Sequence, residues 1–338
     1  GTNMGFGKLS VVLEPQKEQF NPGDEVSGYV LLVAKTAAQC TELLVTASGG
    51  SSASVNEKAA SASTDNLGEE DYFNYNIYTW TADEDENQGK LEEGDHTFPF
   101  KFILPENIPS SYDSFYGRVR YAIKATAVIP HSINKKAKLV LNIVNPYDLN
   151  ADFQAWEALN IEGEAVIPCD PCLCFQGGSA TLSIGAQHSG YIPGHSIPLT
   201  GSIQNHGSCG LISATAKLVQ RRRYTTADKT KLELETLSKV KGRNIRSGQT
   251  DEWDNKLLPV PSNILVRMNN CKHIEVDHLL LIKLKLGYGV AEEYSAPVVI
   301  GTIPLTPGGQ TIIQTETPET IAADVIADNH SWDRSELL

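Results

Sequence analysis

Two stretches decide the fold: Phe20-Asn-Pro-Gly-Asp-Glu-Val-Ser-Gly-Tyr-Val30 and Tyr191-Ile-Pro-Gly-His-Ser-Ile-Pro-Leu-Thr-Gly-Ser-Ile203. Each is an aromatic residue, a Pro-Gly pair and a run of alternating character. The proline presets φ and the glycine supplies positive φ, which is the chemistry of a tight turn. The alternation has the period of two expected of a strand with one packed face. Further along, Leu104-Pro105 with Ile108-Pro109-Ser110 is echoed by Leu258-Pro259-Val260-Pro261-Ser262. Ala122-Ile123-Lys124 is then echoed by Leu281-Ile282-Lys283. Three matches in one order predict two copies of a single domain.

Working outward, strand patterns recur almost everywhere. Phe98, Phe100 and Phe102 share one face against Pro99 and Lys101, and the proline predicts an edge strand. Val119, Tyr121, Ile123 and Ala125 oppose Arg120 and Lys124, and Leu280, Ile282, Leu284 and Leu286 repeat the pattern. Capped helical periodicity is missing. The expected fold is all-β, two tandem antiparallel β-sandwiches of immunoglobulin-like type with little helix. The 338 residues suit two domains of roughly 150 each. The boundaries read as a first sandwich at 8–147, a connection at 148–177, a second sandwich at 178–305 and an acidic, disordered tail at 306–338. Ser48 to Ser63, rich in Gly, Ser and Ala, reads as a flexible loop.

A formal net charge of −13 argues against a nucleic-acid partner, whose phosphates demand Lys and Arg. No apolar run reaches the ~20 residues of a membrane span, and no secretory leader pattern is present. The six cysteines are sparse and partly bunched, so no disulfide framework is expected. The expected location is cytoplasmic.

Several motifs point to one family. They are Pro22-Gly-Asp-x-Val-Ser-Gly-x-Val30, His96-Thr-Phe98-Pro-Phe100-Lys-Phe102-x-Leu104-Pro105 and Gly117-Arg-Val119-Arg-Tyr121-x-Ile123-Lys124-Ala125. In the second half stand Gly190-Tyr191-x-Pro193-Gly194, Ser247-Gly248-x-Thr250-x-x-Trp253 and Val299-Ile300-Gly301-Thr302-Ile303-Pro304-Leu305. Across residues 8 to 305 the chain resembles the α-arrestins, the arrestin domain-containing proteins. That resemblance implies an arrestin N domain and an arrestin C domain. It also implies a non-enzymatic adaptor without cofactors, recruited to the plasma membrane and endosomes, which binds cytoplasmic regions of membrane receptors or transporters and directs them to ubiquitylation and endocytosis. In such proteins HECT-type ubiquitin ligases are held through Pro-Pro-x-Tyr motifs. This sequence has no Pro-Pro pair, so ligase binding is expected only if residues beyond Leu338 supply the motif. Some members carry a reactive cysteine within the Ser-Gly-x-x-x-x-Trp segment; Thr250 stands there, and no such thiol link is implied.

No nucleophile elbow, phosphate loop, dinucleotide fingerprint or zinc-protease motif appears, and the eight histidines are scattered. No catalytic, cofactor-binding or metal residues are assigned. Cys169-Asp-Pro-Cys172-Leu-Cys174 lacks the second pair that a structural zinc site wants, and is read as structural thiols. Arg221, Arg222 and Arg223 form the one dense basic feature. They are read either as a solvated strand end or as a contact for an acidic tail, phosphorylated cargo or lipid headgroup. Reversing their charges is expected to weaken cargo binding without unfolding the protein. Asp333-Arg-Ser-Glu-Leu337-Leu338 matches the acidic-dileucine pattern read by clathrin adaptors. Two rival readings are an arrestin-fold subunit of an endosomal sorting coat of the retromer type and a carbohydrate-binding or carbohydrate-active sandwich. The second would use the aromatic run Tyr72, Phe73, Tyr75, Tyr78 and Trp80, which is read here as strand packing.

Overall fold

The computed structural model describes residues 5–55, 67–82, 89–168, 177–208, 210–268, 270–287 and 289–306. The first sandwich is built from β1 (Phe6–Leu13), β2 (Glu25–Ala34), β3 (Ala38–Gln39), β4 (Glu42–Ser54), β5 (Leu67–Thr81), β6 (Lys90–Leu91), β7 (Gly94–Ile103), β8 (Tyr112–Asp113), β9 (Gly117–Val128) and β10 (Lys135–Leu141). Its two main sheets run β1-β2-β7 and β10-β9-β4-β5, with β8 paired to β9, and β3 and β6 form a separate two-stranded pair. The second sandwich is built from β11 (Leu159–Ile167), β12 (Gly178–Ala186), β13 (Gly190–Tyr191), β14 (Ser196–Asn205), β15 (Leu211–Thr225), β16 (Thr230–Arg246), β17 (Thr250–Pro259), β18 (Ile274–Gly287) and β19 (Val290–Ile300). Its sheets run β11-β12-β14-β17 and β13-β19-β18-β15-β16.

The internal repeat is a repeat of topology. The order β12-β14-β17 reproduces β1-β2-β7, and β19-β18-β15-β16 reproduces β10-β9-β4-β5. The paired aromatics match too: Phe20 bridges in parallel to Ile143, and Tyr191 pairs in parallel with Ile300. The turns that follow use the same device, with Gly23 at φ 82° and Gly194 at φ 85°.

Alternation becomes burial. Val26, Val30 and Leu32 of β2 meet Leu43, Val45 and Ala47 of β4 and Tyr121, Ile123 and Ala125 of β9 in the first core. Ile197, Leu199 and Ile203 of β14 meet Ala214, Ala216 and Leu218 of β15 and Leu280, Ile282 and Leu284 of β18 in the second. Pro99 sits on β7, an edge strand as expected, where a missing N–H is tolerated.

Two expectations change. Ser48 to Ser54 is not a loop but half of β4, a central strand between β9 and β5. Its small residues are required by their neighbours: a Cβ on Gly49 would overlap the Tyr121 ring and come within 2.8 Å of Phe73. The aromatic run of β5 supplies that cover, with Phe73 and Tyr72 against Tyr121 and with Tyr78 and Trp80 against Phe98. The rest of that expected loop, 56–63, lies outside the described residues.

The expected connection at 148–177 also carries regular structure. A 3-10 turn, Leu149–Ala151, and a one-turn helix, α1 (Phe153–Trp156), are capped by Asp148 and Asp152. Asp152 also accepts from the Tyr147 hydroxyl at 2.7 Å and from Arg267 Nη1 at 3.1 Å. This clamps the connection to the second sandwich. Then β11 pairs with β12 through nine registered positions. Its alternation was hidden because Gly163 and Ala165 stand among the inward-leaning positions; Gly163 lies under the Tyr294 ring. Of the expected tail at 306–338, residues 307–338 lie outside the described residues.

Candidate functional site

Arg221, Arg222 and Arg223 lie inside β15, not at its end, and pairing continues through Thr225. Register places carboxylates beside each of them. Arg221 is opposite Asp277 of β18 and makes a two-pronged contact, Nε to Oδ1 at 2.7 Å and Nη2 to Oδ2 at 2.5 Å. Arg223 is opposite Glu275 and ion-pairs with it. Arg222 points to the other face, where Nη2 reaches Glu235 of β16 at 2.5 Å and Nε stands 3.8 Å from Glu233. Donation of these hydrogen bonds to Asp277 raises the pKa of Arg221 above its ordinary value. The three cations therefore enter the site already partnered by four carboxylates.

The Arg222 face leads to the junction of the two sandwiches. The Tyr112 hydroxyl of β8 lies 2.6 Å from the Tyr224 hydroxyl of β15, and Tyr224 donates to Glu233 at 3.1 Å. Tyr224 is fully buried, and burial pushes its phenol well above the ordinary range. Around this pair the cores merge: Tyr224, Met268, Cys271, Ile274 and Val276 of the second half belong to the core cluster of the first. The Tyr116 ring packs 5.6 Å from that of Tyr224 and receives Lys231 at 5.1 Å. A Cβ on Gly117 would meet Ile274 at 2.8 Å, so the chains approach closely here. Beside it the Lys272 backbone N–H donates across the junction to the Glu70 carboxylate at 3.0 Å.

Among the described residues no three His, Cys, Asp or Glu side chains gather to hold a metal. Cys40 and Cys271 are buried and free, and burial pushes the Cys40 thiol up. Cys169, Cys172 and Cys174 fall outside the described residues, as do Asp333, Leu337 and Leu338. His278 is buried beside Gln220, and burial pushes its pKa down to about 4. No described helix is long and apolar enough to cross a membrane.

Residues 9–150 match the model of the arrestin (or S-antigen) N-terminal domain, and 176–305 match that of the C-terminal domain. Arrestin domain-containing protein 4 of Homo sapiens is 30% identical over 304 residues, covering 88% of this chain and 71% of the relative. The chain belongs to the arrestin domain-containing family. The Mus musculus protein 4 is 29% identical over 310 residues, covering 89% of this chain and 73% of its own length. Arrestin domain-containing protein 1 of Rattus norvegicus is 26% identical over 300 residues, covering 88% and 63%.

In this α-arrestin the family motifs sit at structural points. Gly248 turns at φ 71°, Thr250 opens β17, and Trp253 is buried. The Trp253 indole donates to Asp251 at 2.8 Å, and Arg243 reaches the same carboxylate through its Nε and its backbone N–H, each at 2.8 Å. Burial would raise the Asp251 pKa, but these donors outweigh it and hold the carboxyl below the usual range. The junction tyrosines escaped the sequence reading. Tyr112 and Tyr224 are far apart in the chain, and neither has a distinguishing neighbour pattern.

Proposed function

We propose that this arrestin-domain protein is a non-enzymatic adaptor that binds cytoplasmic segments of membrane proteins and brings them to ubiquitin ligases or endocytic machinery. Family membership supports the trafficking class. The observation that carries the reading is the junction, where a shared apolar core and the Tyr112–Tyr224 hydroxyl pair join two sandwiches. A large apolar interface holds domains in fixed relation, whereas small polar ones let them move. Two sandwiches so fixed form a rigid presenting surface, which suits bridging two macromolecules.

The reading is tested by proximity labelling in cells with the natural C-terminus in place. Membrane receptors or transporters together with ubiquitin ligases are expected among the labelled proteins; the absence of both classes would sink the adaptor role. Ligase recruitment is proposed to run through Pro-Pro-x-Tyr, which this sequence lacks. These 338 residues alone are therefore expected not to retain a WW-domain array in a pull-down, and tight retention would show a different mode of recruitment.

A further inference from the structure

The two open sides of the first sandwich are closed differently. On one side Lys135 of β10 reaches across to the Gly7 carbonyl of β1 at 3.3 Å. On the other side lie the edge strands β5 and β7, and among the described residues no hydrogen bond joins them. Rings fill that gap: Tyr75 meets Phe102, and Tyr78 and Trp80 meet Phe98, with centroids 6.0 to 6.4 Å apart. At Trp80 the gap opens into a groove of about 270 Å³, walled by Trp80, Phe98 and Leu91. Trp80 stands opposite buried Leu43 and so belongs to the inner face of its sheet, yet it is only half-buried. Pockets for small organic ligands run from about 300 to 1,000 Å³. This groove is smaller and open, which suits one long side chain of a larger partner.

Strand addition is blocked on this side. Pro99 removes a donor from the β7 edge, and β5 is interrupted where its register on β4 shifts, between Val45 and Thr46 and between Gly49 and Gly50. Recognition here therefore runs through side chains. The surroundings are negative. Glu92, Glu93 and Asp95 stand exposed where β6 passes into β7, and Lys90 offsets one of them. Lys90 lies 3.7 Å from Glu92, with side chains 63% and 77% exposed, and a pair so exposed is weak and easily displaced. Among the described residues Glu93 and Asp95 have no ion-pair partner. His96 Nε2 lies 2.8 Å from the Glu92 carbonyl oxygen, which fixes that backbone beside the aromatic wall. Acids in a solvated turn need no partner, and rings that close a sandwich need no ligand. Neither account explains an open groove that places the two together.

We propose that this groove docks a basic peptide segment, with one arginine side chain laid against Trp80 and Phe98 and its guanidinium on the Glu92 carboxylate. The planar guanidinium stacks on aromatic faces and grips a carboxylate with two parallel donors, whereas the lysine ammonium acts as a point charge. The negative surroundings repel anionic lipid and nucleic acid, which leaves a protein segment as the occupant. Cytoplasmic stretches beside membrane spans are enriched in Lys and Arg. The proposal rests on the adaptor reading, for which it names a cargo contact, the basic stretch next to the span.

The test uses the full chain and fluorescent twelve-residue peptides that carry arginine, lysine or citrulline, the neutral analogue of arginine, at the same positions, followed by anisotropy. The arginine peptide is expected to bind most tightly, the lysine peptide several-fold more weakly and the citrulline peptide not at all. Glu92→Gln is expected to weaken arginine binding by roughly three- to tenfold, without lowering the unfolding midpoint. Trp80→Leu keeps apolar bulk but removes the ring face, and is expected to abolish the advantage of arginine over lysine. If Trp80→Leu lowers the midpoint, Glu92→Lys takes its place; it alters an exposed side chain and is expected to abolish binding. Unchanged affinity in the variants overturns the proposal. So does an arginine peptide bound no better than the lysine or citrulline one. Self-association of the unaltered protein that Glu92→Lys abolishes, with no peptide binding, also overturns it, in favour of a second copy. If the unaltered and Glu92→Lys proteins label the same membrane proteins in cells, the groove fails and the adaptor reading stands. If the arginine peptide binds the groove but no membrane protein is labelled, the adaptor reading fails and the arginine site stands.

Discussion

At the scale of one residue, His278 gives the molecule a pH dependence of its own. The ring is buried, and the Gln220 amide nitrogen lies 3.2 Å from Nε2. Burial pushes the folded pKa down to about 4 from 6.5, although nearby Asp277 pulls the other way. Between those values the unfolded chain takes up a proton that the folded chain refuses. Stability is therefore full above pH 6.5 and is lost progressively as pH falls toward 4, by roughly 3 kcal/mol for this group alone. His278→Gln removes that loss. At pH 7 the variant is expected to be less stable by about 1–2 kcal/mol through poorer packing. The gap should close, or reverse, as denaturant unfolding is repeated down to pH 5. A gap that stays constant would show that His278 titrates in the fold as it does in the unfolded chain.

At the scale of the element, the strand β15 shows how pairing decides what a charged run is for. Arg221 and Asp277 are held two-pronged, with side chains only 29% and 18% exposed. Reversing all three arginines would set three new carboxylates against Glu233, Glu235, Glu275 and Asp277. That variant is now expected to destabilise the second sandwich, so it cannot report on binding alone. The cleaner experiment is a cycle. Arg221→Glu and Asp277→Arg should each cost about 1–3 kcal/mol, and the double swap should recover at least half of the combined loss in urea unfolding. Strictly additive losses would show that the contact contributes nothing. The same strand marks the limit of what the sequence discloses. The three arginines are adjacent and visible, while their acids lie 52 and 56 residues away on β18 or across the hairpin on β16. The period of two was legible in Val119 to Ala125 and in Leu280 to Leu286 because large apolar residues mark the buried face. It was illegible in β4 and β11, where Gly49, Ala53, Gly163 and Ala165 mark it with side chains too small to read as core. At Gly49 and Gly163 smallness is set by the Tyr121, Phe73 and Tyr294 rings above, a demand that only the folded arrangement makes.

At the scale of the whole molecule, the repeat foretold two sandwiches but not how they are joined. Two separate cores would unfold as two units. Here Ile274, Val276 and Met268 complete the core of the first sandwich although they lie in the second half of the chain. Residues 5–147 alone would expose the surface those side chains cover. The two halves are therefore expected to melt in one calorimetric transition, with van't Hoff and calorimetric enthalpies equal. Tyr224→Ala tests the coupling at its centre. The side chain is fully buried, so its loss leaves a cavity and strands the Tyr112 hydroxyl, at a cost of about 3–5 kcal/mol. Because that cost falls on the junction, the variant's transition should split in two, with the first sandwich melting earlier. Tyr224→Phe keeps the ring and removes only the hydroxyl pair; it should cost about 1–2 kcal/mol and keep a single transition. Two transitions in the unaltered protein would mean that the sandwiches are independent, and the rigid presenting surface on which the adaptor reading depends would be lost with them.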